Sequence, residues 1–350
     1  MSAARAAGRP AASRRRRVGL LAAGAAVAGA AGYAASRALD RRRLRGLPPP
    51  SESELEMPPD VDVTTVATKD GGRIRVVERG EGPTIVLLHG AGLAADTWAY
   101  QFHDLADRRH LVALDMRGHG DSEAGRDGTT ISAMADDLAA VLEALDVRGA
   151  LLVGHSMGGM TVLRFARLHR DVLEERVAAV LLVSTTGGLT PDISPWHRLS
   201  NAVGSAAVAL DRTFNPAGRH VYPAGELGYW ASRFGFGASP TFAEVEATTR
   251  MLRRMQPARF VGLLPELLGF DERDPYTDLR VPATVLIGGR DLLTPPAHSR
   301  MLAETLPGAR LLVWPRAGHM LMYERRREFD RLLEEMSSGG GQAVGERAGA

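Results

Sequence analysis

LLVGHSMGGM, residues 151–160, is the stretch on which the reading of this chain turns. Apolar residues lead into a serine held between glycines, and an apolar, helix-compatible run follows. Glycine and serine are also the commonest turn residues, so Gly154-His155-Ser156-Met157-Gly158 would mark a plain turn if it stood alone. The same five residues match the G-x-S-x-G elbow, in which a sharp strand-to-helix turn exposes a nucleophilic hydroxyl. The flanks decide between the two. Leu151 to Val153 read as the end of a buried strand, and MTVLRFARLHRDVL reads as the helix after it. Small residues at 154 and 158 are what so tight a crossing of backbone requires.

Working outward, strand and helix patterns alternate from Val61 onward. VDVTTVATKDGGRIRVVERG carries two β-rich runs around Asp70-Gly71-Gly72, a hairpin signal. TIVLLHG (84–90), HLVALDMRGHG (110–120), VAAVLLVST (177–185), ATVLIGG (283–289) and ARLLVWP (309–315) are short continuous apolar runs, as expected of strands buried on both faces. ISAMADDLAAVLEALDV (131–147) has the helical period, with Ile131, Met134, Leu138, Val141, Leu142 and Leu145 on one stripe. HSRMLAETL and ERRREFDRLLEEM supply late helices. Such alternation predicts an α/β fold with a doubly wound, mainly parallel sheet. The alternation stops between Gly187 and about Asp274. That helix-like stretch carries Trp196, Trp230, Phe234, Phe236, Met251, Met255 and Phe260, and is expected as a cap inserted into the core.

A serine hydroxyl needs a base to take its proton. Asp291, in LIGGRDLLTP, and His319, in WPRAGHM, each lie just beyond the carboxyl end of a predicted strand, where open parallel sheets gather their ligands. The expected roles are Ser156 as nucleophile, His319 as general base and then acid, and Asp291 as the group that sets the imidazole tautomer. An oxyanion needs two backbone N–H donors. Met157, after the nucleophile, is one; Ala91 in the glycine-rich HGAGL is the expected other, with Gly92 as the fallback.

Five ordered stretches carry a family resemblance: LLHGAG (87–92), DMRGHGDS (115–122), GHSMGG (154–159), GGRDLLTPP (288–296) and AGHM (317–320). With them, nearly all of residues 61–336 resembles the α/β-hydrolase fold family, of the capped serine esterase or lipase type. The resemblance implies an oxyanion loop in the HG segment and a serine that is acylated by an ester, thioester or acylglycerol. A serine at the elbow sets the chain apart from the family's haloalkane dehalogenases and epoxide hydrolases, which carry aspartate there. Carbon–carbon bond hydrolases of the family share the Ser-Met-Gly-Gly pattern and stay open as an alternative, as does a hydrolase-fold protein that only binds ligand. No cofactor and no metal is expected, because the histidines lack metal-ligand spacing.

Composition bounds the rest. Of 350 residues, 45% are hydrophobic and 24% charged, as in a globular protein, and there is no cysteine to serve as thiolate nucleophile or zinc ligand. The net charge of +2 hides an asymmetry: residues 1–46 hold eleven arginines and one acid, Asp40, so the body is mildly acidic. That body shows no basic excess of the kind a nucleic-acid partner requires. The expected partner is a small, lipophilic acyl substrate.

The uncharged run Val18 to Ala35 between two arginine clusters is expected as a transmembrane or signal-anchor helix, which would make the membrane a second partner and leave the body on the cytoplasmic side. The competing reading is a signal peptide cleaved near Ala28-Gly29-Ala30, with export of the body. Arg37, Arg41, Arg42, Arg43 and Arg45 count against it, because positive charge resists translocation. The expected organisation is therefore a basic tail (1–17), a spanning run (18–35), a linker (36–60), a first part of the core (61–186), a helical cap (187–275), a second part of the core (276–336) and a flexible tail (337–350). Asp115 and Arg117 are read as holding their turn through charged hydrogen bonds, and His89 and His155 as orienting backbone.

Overall fold

The computed structural model describes residues 51–188, 226–238, 240–276 and 279–338. Eight strands form one sheet: β1 (Asp62–Ala67), β2 (Arg73–Arg79), β3 (Thr84–Leu88), β4 (His110–Leu114), β5 (Ala150–His155), β6 (Val177–Val183), β7 (Ala283–Gly288) and β8 (Arg310–Trp314). Their order across the sheet is β1-β2-β4-β3-β5-β6-β7-β8. β1 and β2 form the expected hairpin, β2 pairs antiparallel with β4, and every later pair is parallel. The chain leaves β3 for β4 on one side and later returns to β5 on the other. That reversal opens a crevice beyond the carboxyl ends of β3 and β5, where ligands bind in open α/β sheets.

Along β3, Ile85 and Leu87 face one apolar layer while Val86 and Leu88 face the other. Side chains alternate across a strand, so a strand covered on both faces must be apolar at every position. One layer holds α1 (Ala99–Leu105) and, at the far end of the chain, α9 (Leu321–Glu324) and α10 (Arg326–Ser337); the other holds α2 (Ile131–Ala144) and α3 (Met157–Leu168), which α4 (Arg170–Arg176) follows. In α2 the stripe from Ile131 to Leu142 is buried, and the Thr130 hydroxyl caps the helix by accepting from Ala133 N at 3.1 Å.

Between β6 and β7 lie α5 (Glu226–Arg233), α6 (Phe242–Arg254) and α7 (Pro257–Gly269), while α8 (Pro296–Thr305) joins β7 to β8. Gly188 and Asp271 pair as an antiparallel bridge and Glu272 N donates to Gly187 O at 2.6 Å. The insertion is thus closed at its base, where the chain leaves the core and comes back. Within it, Thr241 and Glu244 form a capping box at the start of α6, with Thr241 N donating to Glu244 Oε2 at 2.7 Å and Glu244 N to Thr241 Oγ1 at 3.2 Å.

Two expectations for the N-terminal region change. The transmembrane assignment, with the membrane partner and membrane location that followed from it, is corrected: among the described residues no helix is long and apolar enough to cross a membrane. The run 18–35 itself lies outside the described residues. It is mostly Ala and Gly, and its few larger aliphatics supply only roughly −0.3 to −0.6 kcal/mol each toward insertion. The end of the expected linker, residues 51–60, is docked on the body. Leu55 is buried in the apolar layer, its turn packing on α1 and α6, and Arg326 joins Glu54 (3.0 Å) to Asp104 (2.5 and 2.6 Å). Residues 339–350 of the expected tail lie outside the described residues.

Arg117 is a structural hub of the first half. It is 1% exposed and makes two 2.6 Å bonds to Asp137, one of 2.9 Å to Asp70 and one of 2.9 Å to Gly128 O. Removing one partner of a buried ion pair leaves an uncompensated charge, at a cost of about 3–5 kcal/mol. Arg117→Ala is therefore expected to lose about that much unfolding free energy in urea; a loss within about 0.5 kcal/mol, the range of an ordinary surface change, would contradict this role.

Candidate active site

Ser156 sits between β5 and α3 with φ 53° and ψ −116°, one of three non-glycine residues at positive φ among those described. For an L-residue that conformation is strained and persists only where the surroundings over-determine it. Here Ser156 N donates to Val183 O at 2.9 Å, and Ser156 O accepts from Thr185 Oγ1 at 2.7 Å. Gly158 lets α3 cross β3, because a Cβ there would lie far inside 3.0 Å of Leu88 O. The turn aims the amino end of the 12-residue α3 at the cavity, where a helix terminus favours negative charge.

His319 follows β8 and Asp291 follows β7, and the structure brings the two together. His319 Nδ1 lies 2.8 Å from Asp291 Oδ2, with both residues 5% or less exposed. An ionised carboxylate only accepts, so the proton belongs on Nδ1 and the lone pair on Nε2. Asp291 Oδ1 accepts from Leu293 N (2.8 Å) and Thr294 N (2.9 Å), which fixes the carboxylate in its loop. Thr294 Oγ1 lies 2.9 Å from Asp291 Oδ2, 2.9 Å from Ser184 O and 3.3 Å from His319 Nδ1. Ser156 and His319 line one cavity, but no hydrogen bond joins Ser156 Oγ to His319 Nε2. Such contacts often tighten only when substrate is bound.

Ala91 and Met157 border the same cavity. Neither backbone N–H donates to another group of the protein among the described residues, so both are open to an incoming oxygen. The loop carrying Ala91 is held by His89, whose Nδ1–H donates to Gly90 O at 2.8 Å while Nε2 accepts from Met116 N at 2.9 Å. His155 Nε2–H donates to His319 O at 3.0 Å. Burial, and for His155 also the nearby His319, holds both imidazoles below their usual titration range. Neutral and spent on backbone, they orient loops. Asp115 does likewise, accepting from Ala95 N (2.7 Å), Asp121 N (3.0 Å) and Arg75 (3.0 Å).

The cavity has a volume of about 400 Å³. Leu252, Phe260, Leu264, Leu267 and Leu268 of the insertion form one wall, and Leu93, Met160, Leu293 and Met320 of the core another. Of its polar lining side chains, Ser232 donates to Gly228 O (3.0 Å) and Thr248 to Glu244 O (2.9 Å). Their hydroxyl protons are thus spent on backbone carbonyls within the insertion. Of the aromatic and methionine residues expected in the cap, Phe260 reaches the cavity, Phe236 and Met251 are buried in the apolar layer, Phe234 is exposed, and Trp196 lies outside the described residues. No group of His, Asp or Glu among the described residues could hold a metal ion.

Residues 83–326 match the family model for the alpha/beta hydrolase fold. The chain belongs to the α/β-hydrolase fold family. Among its relatives, a pimeloyl-[acyl-carrier protein] methyl ester esterase of Chromobacterium violaceum is 30% identical over 262 residues, covering 73% of this chain and 94% of that protein. A dihydrolipoyllysine-residue acetyltransferase component of the acetoin cleaving system of Cupriavidus necator is 30% identical over 277 residues, covering 78% of this chain and 68% of that one. The solved esterase of Exiguobacterium antarcticum superposes with a TM-score of 0.68 over 79% of this chain and 99% of its own; at 21% identity it speaks for the fold. Together these relatives support a hydrolase of this fold.

Thr294 escaped the sequence reading although it stands inside a quoted motif, because its contacts to Ser184 and His319 come from other strands. The elbow itself is open to test. Gly158→Ala forces a methyl group into Leu88 O, and overpacking of this kind costs about 1–3 kcal/mol. A fall in Tm of roughly 3–10 °C is expected; an unchanged Tm would mean the crossing is looser than described.

Proposed function

We propose that this protein is a serine hydrolase that cleaves carboxylic esters, thioesters among them, through an acyl-enzyme. The observation that carries the reading is one cavity lined by a strained, over-determined Ser156, by His319 in its bond to the buried Asp291, and by Ala91 and Met157 with their open backbone N–H groups. Ser156 Oγ attacks the acyl carbonyl carbon while His319 Nε2 takes its proton, and Asp291 stabilises the imidazolium that forms. The carbonyl oxygen gathers negative charge against Ala91 N–H and Met157 N–H, each such donor being worth roughly 2.7–4 kcal/mol in the transition state. His319 returns the proton to the leaving alkoxide or thiolate. Water then attacks the ester on Ser156 by the same path in reverse, releasing acid and free enzyme.

The acyl part is apolar in this reading. A cavity of about 400 Å³ is of small-ligand size, and its walls present hydrocarbon from both insertion and core. The methyl ester esterase among the relatives agrees with an ester bond as the target.

The full chain, as wild type and as Ser156→Ala, is to be treated with a fluorophosphonate and assayed on p-nitrophenyl esters of rising acyl length. Wild type is expected to label and turn over, and the mutant to fall by roughly 10⁶-fold, the scale found when a triad nucleophile is removed. Folded wild type that neither labels nor turns over would overturn the reading in favour of ligand binding without chemistry.

A further inference from the structure

We propose that Glu324 is the positioning residue of His319, holding the histidine loop against the inserted cap. This rests on the reading of Ser156 and His319 as nucleophile and base. Glu324 ends α9, five residues beyond His319, and its carboxylate receives one N–H from each of two segments. Oε1 accepts from Gly318 N at 2.9 Å, and Oε2 accepts from Gly237 N at 2.8 Å. Gly318 immediately precedes His319. Gly237 lies in the turn after α5, two residues past Gly235, whose carbonyl accepts from His319 N at 2.8 Å. Ala238 N donates to Arg316 O at 3.2 Å in the same seam.

The two segments meet backbone to backbone. A Cβ on Gly237 or on Gly318 would lie inside 3.0 Å of the other residue's amide nitrogen, so side chains are absent from the seam on both sides. What fills the junction is the Glu324 carboxylate. Two N–H donors converging on one group need two acceptors, and an ionised carboxylate offers acceptors only. An amide in its place presents NH₂ to one of the donors and keeps one bond of the two.

Asp291 sets the orientation of the imidazole ring; the seam sets where the backbone of His319 stands. The distinction matters because no hydrogen bond joins Nε2 to Ser156 Oγ, so where the loop holds the ring decides whether the two can meet. Misplacing reacting groups by about 1 Å costs on the order of 10²-fold in rate. Burial pushes the Glu324 carboxyl up to about 7 while the Gly318 and Gly237 N–H groups pull it down; Glu244 and Arg233 are the other charged groups that bear on it.

The test uses the full chain as wild type, Glu324→Gln and Glu324→Ala, assayed on a p-nitrophenyl ester at pH 8, where the carboxylate is ionised. kcat is expressed per fluorophosphonate-labelled site, so unfolded protein does not count. A positioning role predicts that kcat falls roughly 10- to 100-fold in the alanine variant and by less in the glutamine variant, with KM within about threefold. Hydrogen exchange should quicken at both the Gly237 and Gly318 amides in the alanine variant, and at one of the two in the glutamine variant. Should alanine at 324 prevent folding, the glutamine variant carries the same comparison. Variants with lower Tm but wild-type kcat per labelled site would overturn the clamp and leave the hydrolase reading intact. A wild type that neither labels nor turns over would overturn that reading and the clamp with it.

Discussion

The turn at Ser156 is the constraint on which the rest of this structure hangs. A serine at φ 53° is unfavourable taken alone. It is kept there by bonds to two residues at the end of β6, Val183 through its carbonyl and Thr185 through its hydroxyl, and by the lack of side chains where α3 crosses β3. Those neighbours belong to the middle of the sheet, where β3, β5 and β6 are buried on both faces; the edge strand β8, whose apolar run predicts the same, is only partly covered. With the turn so held, a hydroxyl and the amino end of a helix stand together at the crevice between β3 and β5.

Everything else at the site arrives on loops that leave the carboxyl ends of parallel strands. Asp291 comes from β7, His319 from β8, and the Ala91 loop from β3. Buried histidines brace these loops. His89 ties the β3 and β4 loops, and His155 holds the carbonyl of His319. Both stay uncharged because burial disfavours the imidazolium. His319, bonded to Asp291, stands at a cavity walled by hydrocarbon, where electrostatic interactions are strong. The inserted helices supply one of those walls and touch the histidine loop directly, so the lining of the cavity and the placement of His319 are mechanically linked.

Much of this was legible in the order of residues along the chain. Ser156, Asp291 and His319 each stand just after an apolar strand, and strands buried on both faces announce themselves as unbroken apolar runs. The hairpin at Asp70-Gly71-Gly72 and the stripe of α2 were local signals of the same kind. What escaped was set by contacts between distant segments. Nothing around Glu324 says that its partners are Gly318 and a glycine 87 residues earlier. Thr294 meets Ser184 across 110 residues. Residues 51–60 looked like linker because Pro and acidic residues dominate them, yet Leu55 and Glu54 find a buried site and a cation on α10. The run 18–35, whose lack of charge suggests a spanning helix although alanine and glycine give little hydrophobic drive, lies outside the described residues.

The central claim is that Ser156 becomes acylated. The most direct measurement is to mix the full-length protein with a p-nitrophenyl ester, quench in acid during turnover, digest, and locate the added acyl mass by peptide mass spectrometry. The account predicts one acyl group, on the peptide containing Ser156, formed together with a burst of p-nitrophenol. Turnover with no acylated peptide, or with the acyl group on another residue, would contradict it.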